Sequence, residues 1–239
     1  MINNIINHIT FGNGDDVVFL HGFGGSIDSF LGTAKIIAGE DFRVTLPDMP
    51  GFGKTEIKEP MTIYGYADCI AALIRYYDMK NITMIGHSFG GRVAIILGAQ
   101  ARQYGIDLKK LVLVDSAGIK QRRGIGYFFK VALYKIARKL KFKTAAKFGS
   151  TDYKSLSEIM KKTFINVVNA DLTPLLKEIR HSTLIFWGDR DKDTPLYMAK
   201  KINRLIKDSG LIVYKDAGHY SYIDKFHEFN SALLYFLKN

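Results

Sequence analysis

At 239 residues, 47% of them hydrophobic and only five of them proline, the chain can bury a full core and is expected to fold as one globular domain carrying an insertion. The net charge of +11 is local, which excludes an evenly basic surface: residues 120–165 hold thirteen Lys or Arg against Asp152 and Glu158, and the remainder balances at 21 basic and 21 acidic residues. Lone Cys69 excludes an internal disulfide, no apolar run reaches the roughly 18 residues a membrane span needs, and Met1-Ile2-Asn3-Asn4-Ile5 lacks a charged-then-apolar leader pattern, so a soluble, cytoplasmic protein is expected.

In chain order, an N-terminal pair near residues 4–11 is expected to add an antiparallel edge to a sheet whose first buried strand runs from Asp16 to Leu20. The glycine-bearing loop His21-Gly22-Phe23-Gly24-Gly25 follows, then a helix over Ser29 to Ala38 and a strand over Phe42 to Leu46. Asp48-Met49-Pro50-Gly51-Phe52-Gly53 reads as a tight turn at a pocket rim; Lys54-Thr55 behind it does not complete the glycine spacing of a phosphate loop. A helix over Ile63 to Tyr77 places Cys69 toward the core. The strand Ile82 to Ile85 then meets Gly86-His87-Ser88-Phe89-Gly90 and a helix from Phe89 to Tyr104, followed by a strand over Leu111 to Val114.

Between Asp115 and His181 the pattern is helical and basic with no strand, so a cap is expected at residues 119–176, inserted into a core made of residues 1–118 and 177–239. Strands resume at Thr183 to Trp187 and Leu211 to Tyr214, with helices at Leu196 to Asp208 and Lys225 to Leu237. Strands alternating with helices imply an α/β protein with a mostly parallel, doubly wound sheet.

Open parallel sheets bind ligands beyond the carboxyl ends of their strands, where the candidate residues fall. A serine between glycines, after a strand and before a helix, fits a strained turn that needs small neighbours and leaves the Ser88 hydroxyl exposed. A neutral hydroxyl is a weak nucleophile and needs a base that is itself oriented by an acid. His219, in Asp216-Ala217-Gly218-His219-Tyr220 after the last strand, is the candidate base. Asp191, in Gly188-Asp189-Arg190-Asp191 after the preceding strand, is the candidate acid, with Asp189, Asp193 and Asp115 as alternatives. The backbone N–H groups of Phe23 and Phe89 are the candidate oxyanion donors, with Gly24 as the alternative to Phe23. His21 reads as a brace for its loop, and His87 as structural or pocket-lining, since strand alternation points it away from Ser88. No spacing of His, Cys or carboxylates indicates a metal site, and no cofactor is expected.

Taken together, His21-Gly22, Asp48 to Thr55, Gly86 to Gly91, Gly188 to Asp191 and Gly218-His219 resemble the α/β-hydrolase superfamily, in its serine-hydrolase branch with a helical cap, over nearly the whole chain. The order Ser88, Asp191, His219 is the one associated with that fold. The resemblance implies cleavage of a carboxylic ester in a small, partly apolar substrate through an acyl-Ser88 intermediate, with the second aspartate of Gly188-Asp189-Arg190-Asp191 as the acid. Some relatives carry the acid after the earlier strand, which keeps Asp115 open. Relatives with this triad and cap also hydrolyse carbon–carbon bonds of diketone-like ring-cleavage products. A serine at the elbow disfavours dehalogenase and epoxide hydrolase chemistry, for which relatives place an aspartate there. A reading from another class is a non-catalytic protein that holds a small ligand in the same pocket.

In the basic segment Ile125, Phe128, Phe129, Ala132, Leu133, Ile136 and Leu140 share helical spacing, with Lys130, Arg138 and Lys141 opposite. The preferred reading is a lid helix whose apolar face covers the pocket while its lysines are solvated. The alternative is contact with an anionic membrane surface, or guidance of an anionic substrate. No nucleic-acid-binding motif accompanies the charge.

Overall fold

Seven runs dominated by Val, Ile, Leu and Phe form one sheet in the computed structural model, which describes residues 6–120 and 156–239. They are β1 (His8–Phe11), β2 (Asp15–Leu20), β3 (Phe42–Pro47), β4 (Ile82–His87), β5 (Leu108–Val114), β6 (Ser182–Gly188) and β7 (Ser209–Tyr214). Their order across the sheet is β1-β3-β2-β4-β5-β6-β7. β1 lies antiparallel on β3, from His8 opposite Pro47 to Phe11 opposite Val44, and the other pairings are parallel. The expected sheet is therefore present; its N-terminal edge, among the described residues, is a single strand on β3.

The helices are α1 (Leu31–Ala38), α2 (Ile63–Tyr76), α3 (Phe89–Ala99), α4 (Ala101–Tyr104), α5 (Glu158–Val168), α6 (Tyr197–Leu205), α7 (Ser221–Asp224) and α8 (Phe226–Lys238). They cover both faces of the sheet. Val18, Leu20, Met84, Leu111, Leu113 and Trp187 pack with α2, α3 and α6, while Val17, Phe19, Val44, Val112, Val114 and Phe186 pack with α1 and α8. Burial on both faces explains unbroken apolar runs such as Leu111-Val112-Leu113-Val114, each side chain contributing about 1.5–3 kcal/mol of transfer free energy.

Three helix boundaries differ from expectation for local reasons. Ser26 forms a capping box with Ser29 and winds Ile27–Ser29 into a separate 3-10 turn, so α1 starts at Leu31. The long helix after the elbow breaks at Gln100, whose backbone leaves helical geometry, and Gly105 in the left-handed conformation ends α4. α6 stops at Leu205, with Ile206 extended and the Ser209 hydroxyl within hydrogen-bond distance of the Asn203 and Ile206 carbonyls.

Of the expected insertion, the amphipathic stretch Ile125 to Leu140 lies outside the described residues. Its described part contains α5 and a 3-10 helix over Thr173–Glu178. α5 is capped by Ser157 and turns Met160, Thr163 and Val167 inward. Buried Thr163 accepts a hydrogen bond from the Met61 N–H (3.1 Å), and the Leu172 N–H donates to Gly118 (2.9 Å), so both ends of this stretch are tied to the sheet domain. Among the described residues no helix is long and apolar enough to cross a membrane.

Candidate active site

Ser88 sits between β4 and α3 with φ 49° and ψ −108°, a strained conformation for a residue with a side chain. The sequence around it removes every side chain that would obstruct the turn. A Cβ on Gly86 would come within 2.5 Å of the Gly90 carbonyl, and one on Gly90 would overlap the Leu20 carbonyl. The Ser88 N–H donates to Val114 (3.0 Å) and the Ala117 N–H donates to Ser88 (3.0 Å), which fixes the strained residue from both sides.

The three residues expected to act together are brought together. His219 Nε2 is 2.9 Å from Ser88 Oγ, and His219 Nδ1 is 2.8 Å from Asp191 Oδ2. A carboxylate only accepts, so the ring proton sits on Nδ1 and Nε2 is free to accept from the serine. Asp191 is buried and collects further donors: the N–H groups of Asp193 (2.8 Å) and Thr194 (2.9 Å) and the Thr194 hydroxyl (2.6 Å). Burial raises its pKa, but bonds from His219 and Thr194 outweigh this and leave it below the ordinary carboxylate value. For His219, burial lowers the pKa, while the bond to Asp191 and the charges of Asp191, Asp115 and Asp193 raise it to a net value above 6.5.

Two of the alternative acids, Asp115 and Asp189, are used elsewhere. Asp115 is fully buried and accepts from the N–H groups of Gly188 (2.9 Å) and Ser221 (3.0 Å), stitching the ends of β5 and β6 to the segment after His219. Burial pushes its pKa up to about 7 despite those bonds. Asp189 accepts from the Asp216 N–H (2.8 Å). Asp191, Asp193 and His219 place ligand atoms within 4.8 Å of one another, the one such grouping among the described residues. Two of its members already spend those atoms on each other.

The loop after β2 lies against the serine. The Gly25 N–H donates to Gly22 (3.0 Å) across a turn whose third residue, Gly24, has φ 81° and so favours glycine. A Cβ on Gly22 would come within 2.7 Å of His87 Nδ1 and 3.5 Å of Ser88 Cβ. Buried His21 donates from Nδ1 to the Gly22 carbonyl (2.8 Å) and accepts from the Met49 N–H at Nε2 (3.0 Å), the bracing expected of it. Asp48 binds the N–H groups of Ile27 (2.8 Å) and Lys54 (2.9 Å) and the Asn7 amide (2.7 Å), so the turn after β3 holds that loop in place. Phe89 opens α3, where its N–H has no intrahelical acceptor and lies at the positive end of the helix dipole.

Ser88, His219, Phe23 and Phe89 share a cavity of about 930 Å³, with Ile119, Phe164, Val167 and Met198 supplying apolar wall. A family model for the alpha/beta hydrolase fold matches residues 16–157. The chain belongs to the alpha/beta hydrolase fold family. The AB hydrolase superfamily protein YisY of Bacillus subtilis (strain 168) is 28% identical, over 94% of this chain and 92% of that protein. The 2-hydroxy-6-oxo-6-phenylhexa-2,4-dienoate hydrolase of Comamonas testosteroni is 24% identical, over 98% of this chain and 91% of that protein. In fold, an esterase from Exiguobacterium antarcticum superposes with a TM-score of 0.77 at 23% identity, over 98% of this chain and 96% of that chain.

Two residues of this alpha/beta hydrolase site, Thr194 and Arg92, were not singled out by the sequence, while His87 lines the cavity as expected. Thr194 holds Asp191, and its carbonyl accepts from Trp187 Nε1 (2.7 Å). His87 donates from Nε2 to the His219 carbonyl (2.8 Å); burial and the neighbouring His219 drive its pKa down to about 3, so it stays neutral. Arg92 lines the cavity, and the available signal was a lone cation in an otherwise apolar helix.

Proposed function

We propose that the protein is a serine hydrolase that cleaves a carboxylic ester through an acyl-Ser88 intermediate. Ser88 Oγ attacks the carbonyl carbon as His219 Nε2 takes its proton, and Asp191 stabilises the imidazolium that forms. The negative charge on the carbonyl oxygen is met by the N–H groups of Phe23 and Phe89. Collapse expels the alcohol, which leaves with the proton from His219. Water then attacks the acyl carbon, again giving its proton to His219, and the acid departs as Ser88 recovers its hydrogen.

The observation that carries this reading is the continuous hydrogen-bonded line from Ser88 through His219 to Asp191, opening on the cavity. Ser88→Ala is expected to lower kcat on a short acyl ester by about 10⁴-fold or more while the circular dichroism spectrum stays unchanged. Full activity in that variant would refute it. Hydrolysis of a carbon–carbon bond is the second reading, favoured by the activity in the name of the Comamonas testosteroni relative. Turnover of a 2-hydroxy-6-oxo-dienoate with short esters left intact would select it.

A further inference from the structure

Arg92 lies in the first turn of α3, four residues beyond Ser88, and both line the same cavity. No other residue of α3 is charged. The side chain is buried, with Arg92 only 6% exposed. A guanidinium carries five N–H donors, yet among the described residues Arg92 makes one hydrogen bond, from Nη1 to the Ala170 carbonyl (2.8 Å), and no ion pair with a carboxylate. The acid whose charge it senses, Asp171, spends Oδ1 on the N–H (3.0 Å) and hydroxyl (2.6 Å) of Thr173.

Burying a cation without a partner is costly, and tying down one carbonyl does not require a full charge. Desolvation lowers the Arg92 pKa to about 10, against the pull of Asp171, so the group is still a cation at neutral pH. Its remaining donors have the cavity as their outlet. Leu156, Phe164, Val167 and Val168 make the surrounding wall apolar, which suits an organic anion with a hydrocarbon body. Asp193 is the one carboxylate among the described lining residues, and it is exposed, beside His219.

We propose that Arg92 is a carboxylate subsite, and that the preferred substrate is an ester bearing a second, free carboxylate a few carbons from the carbonyl that faces Ser88. The guanidinium fork meets such a group with two parallel charge-assisted hydrogen bonds. The assignment rests on the esterase reading for the bond that is cleaved. Monomethyl glutarate and methyl pentanoate differ chiefly in a terminal carboxylate against a methyl group, and methanol release measures both. Wild-type protein should favour monomethyl glutarate at least about tenfold in kcat/KM, since an isolated buried charge-assisted pair discriminates at that level; Arg92→Gln should abolish the preference and Arg92→Lys retain part of it. A wild-type preference for methyl pentanoate, or an unchanged ratio in Arg92→Gln, overturns the proposal. Should Arg92→Gln fail to fold, wild-type protein decides: glutarate must slow fluorophosphonate labelling of Ser88 at concentrations where pentan-1-ol does not, and equal effects overturn it. If neither ester is hydrolysed and Ser88 takes no label, the esterase reading fails. Calorimetric titration of glutarate then decides the subsite, with binding by wild type and none by Arg92→Gln supporting it and no binding by wild type overturning it.

Discussion

Two buried aspartates 76 positions apart in sequence show how much a carboxylate's partners decide what it does. Asp191 faces the His219 ring, whereas Asp115 accepts from the backbone N–H groups of Gly188 and Ser221. Asp191→Asn should therefore cut kcat by about 10³–10⁴-fold with little change in stability, because an amide can no longer favour the required His219 tautomer. Asp115→Asn replaces an acceptor oxygen by a donor opposite a backbone N–H. That should cost about 1–3 kcal/mol in urea unfolding, with a smaller effect on kcat. The pH profile follows from His219, whose proton must be absent for it to act as base. Its pKa lies above 6.5, so kcat/KM should rise with pH through a midpoint above 6.5; a midpoint below that value would show that Asp191 does not outweigh burial. Ser88, Asp191 and His219 were legible in the sequence because each follows a strand, where side chains converge. Arg92 was not, since its contact with the Ala170 carbonyl joins residues 78 positions apart that meet only when α3 packs against the segment after α5, and Thr194 was not, since a threonine three residues beyond a loop aspartate carries no pattern of its own.

At the scale of elements, the elbow is a packing device as much as a catalytic one. β2, β4 and α3 approach so closely that Gly90 lies against the Leu20 carbonyl, and Gly91 leaves no room for a Cβ beside Ser116. Gly90→Ala should lower stability by about 1–3 kcal/mol, seen as a Tm drop of roughly 2–4 °C per kcal/mol for a chain of this size. An unchanged Tm would mean that the strand and helix can separate without cost. The central strands were readable because burial on both faces selects continuous apolar runs. The helix ends were less so: Ser26, Gln100 and Ser209 act through local hydrogen bonds and backbone geometry that apolar periodicity does not register.

Over the whole molecule, charge is divided between a neutral body and one strongly basic segment. If that segment gathers anionic substrate, kcat/KM for monomethyl glutarate should fall as salt rises from about 10 mM to about 0.5 M, while that for methyl pentanoate holds, because exposed charges are screened over a few ångströms at high salt. The lid reading of the same segment expects no salt-sensitive co-sedimentation with anionic liposomes; such binding would favour the membrane-surface alternative instead. These tests concern what reaches the cavity, and all presuppose that Ser88 is an activated nucleophile. A fluorophosphonate probe followed by intact mass and peptide mapping measures that directly. The expected result is one adduct per chain, on Ser88, absent in Ser88→Ala and strongly slowed in His219→Ala. No adduct, or an adduct on another residue, would contradict it and leave a protein that holds a ligand without acting on it.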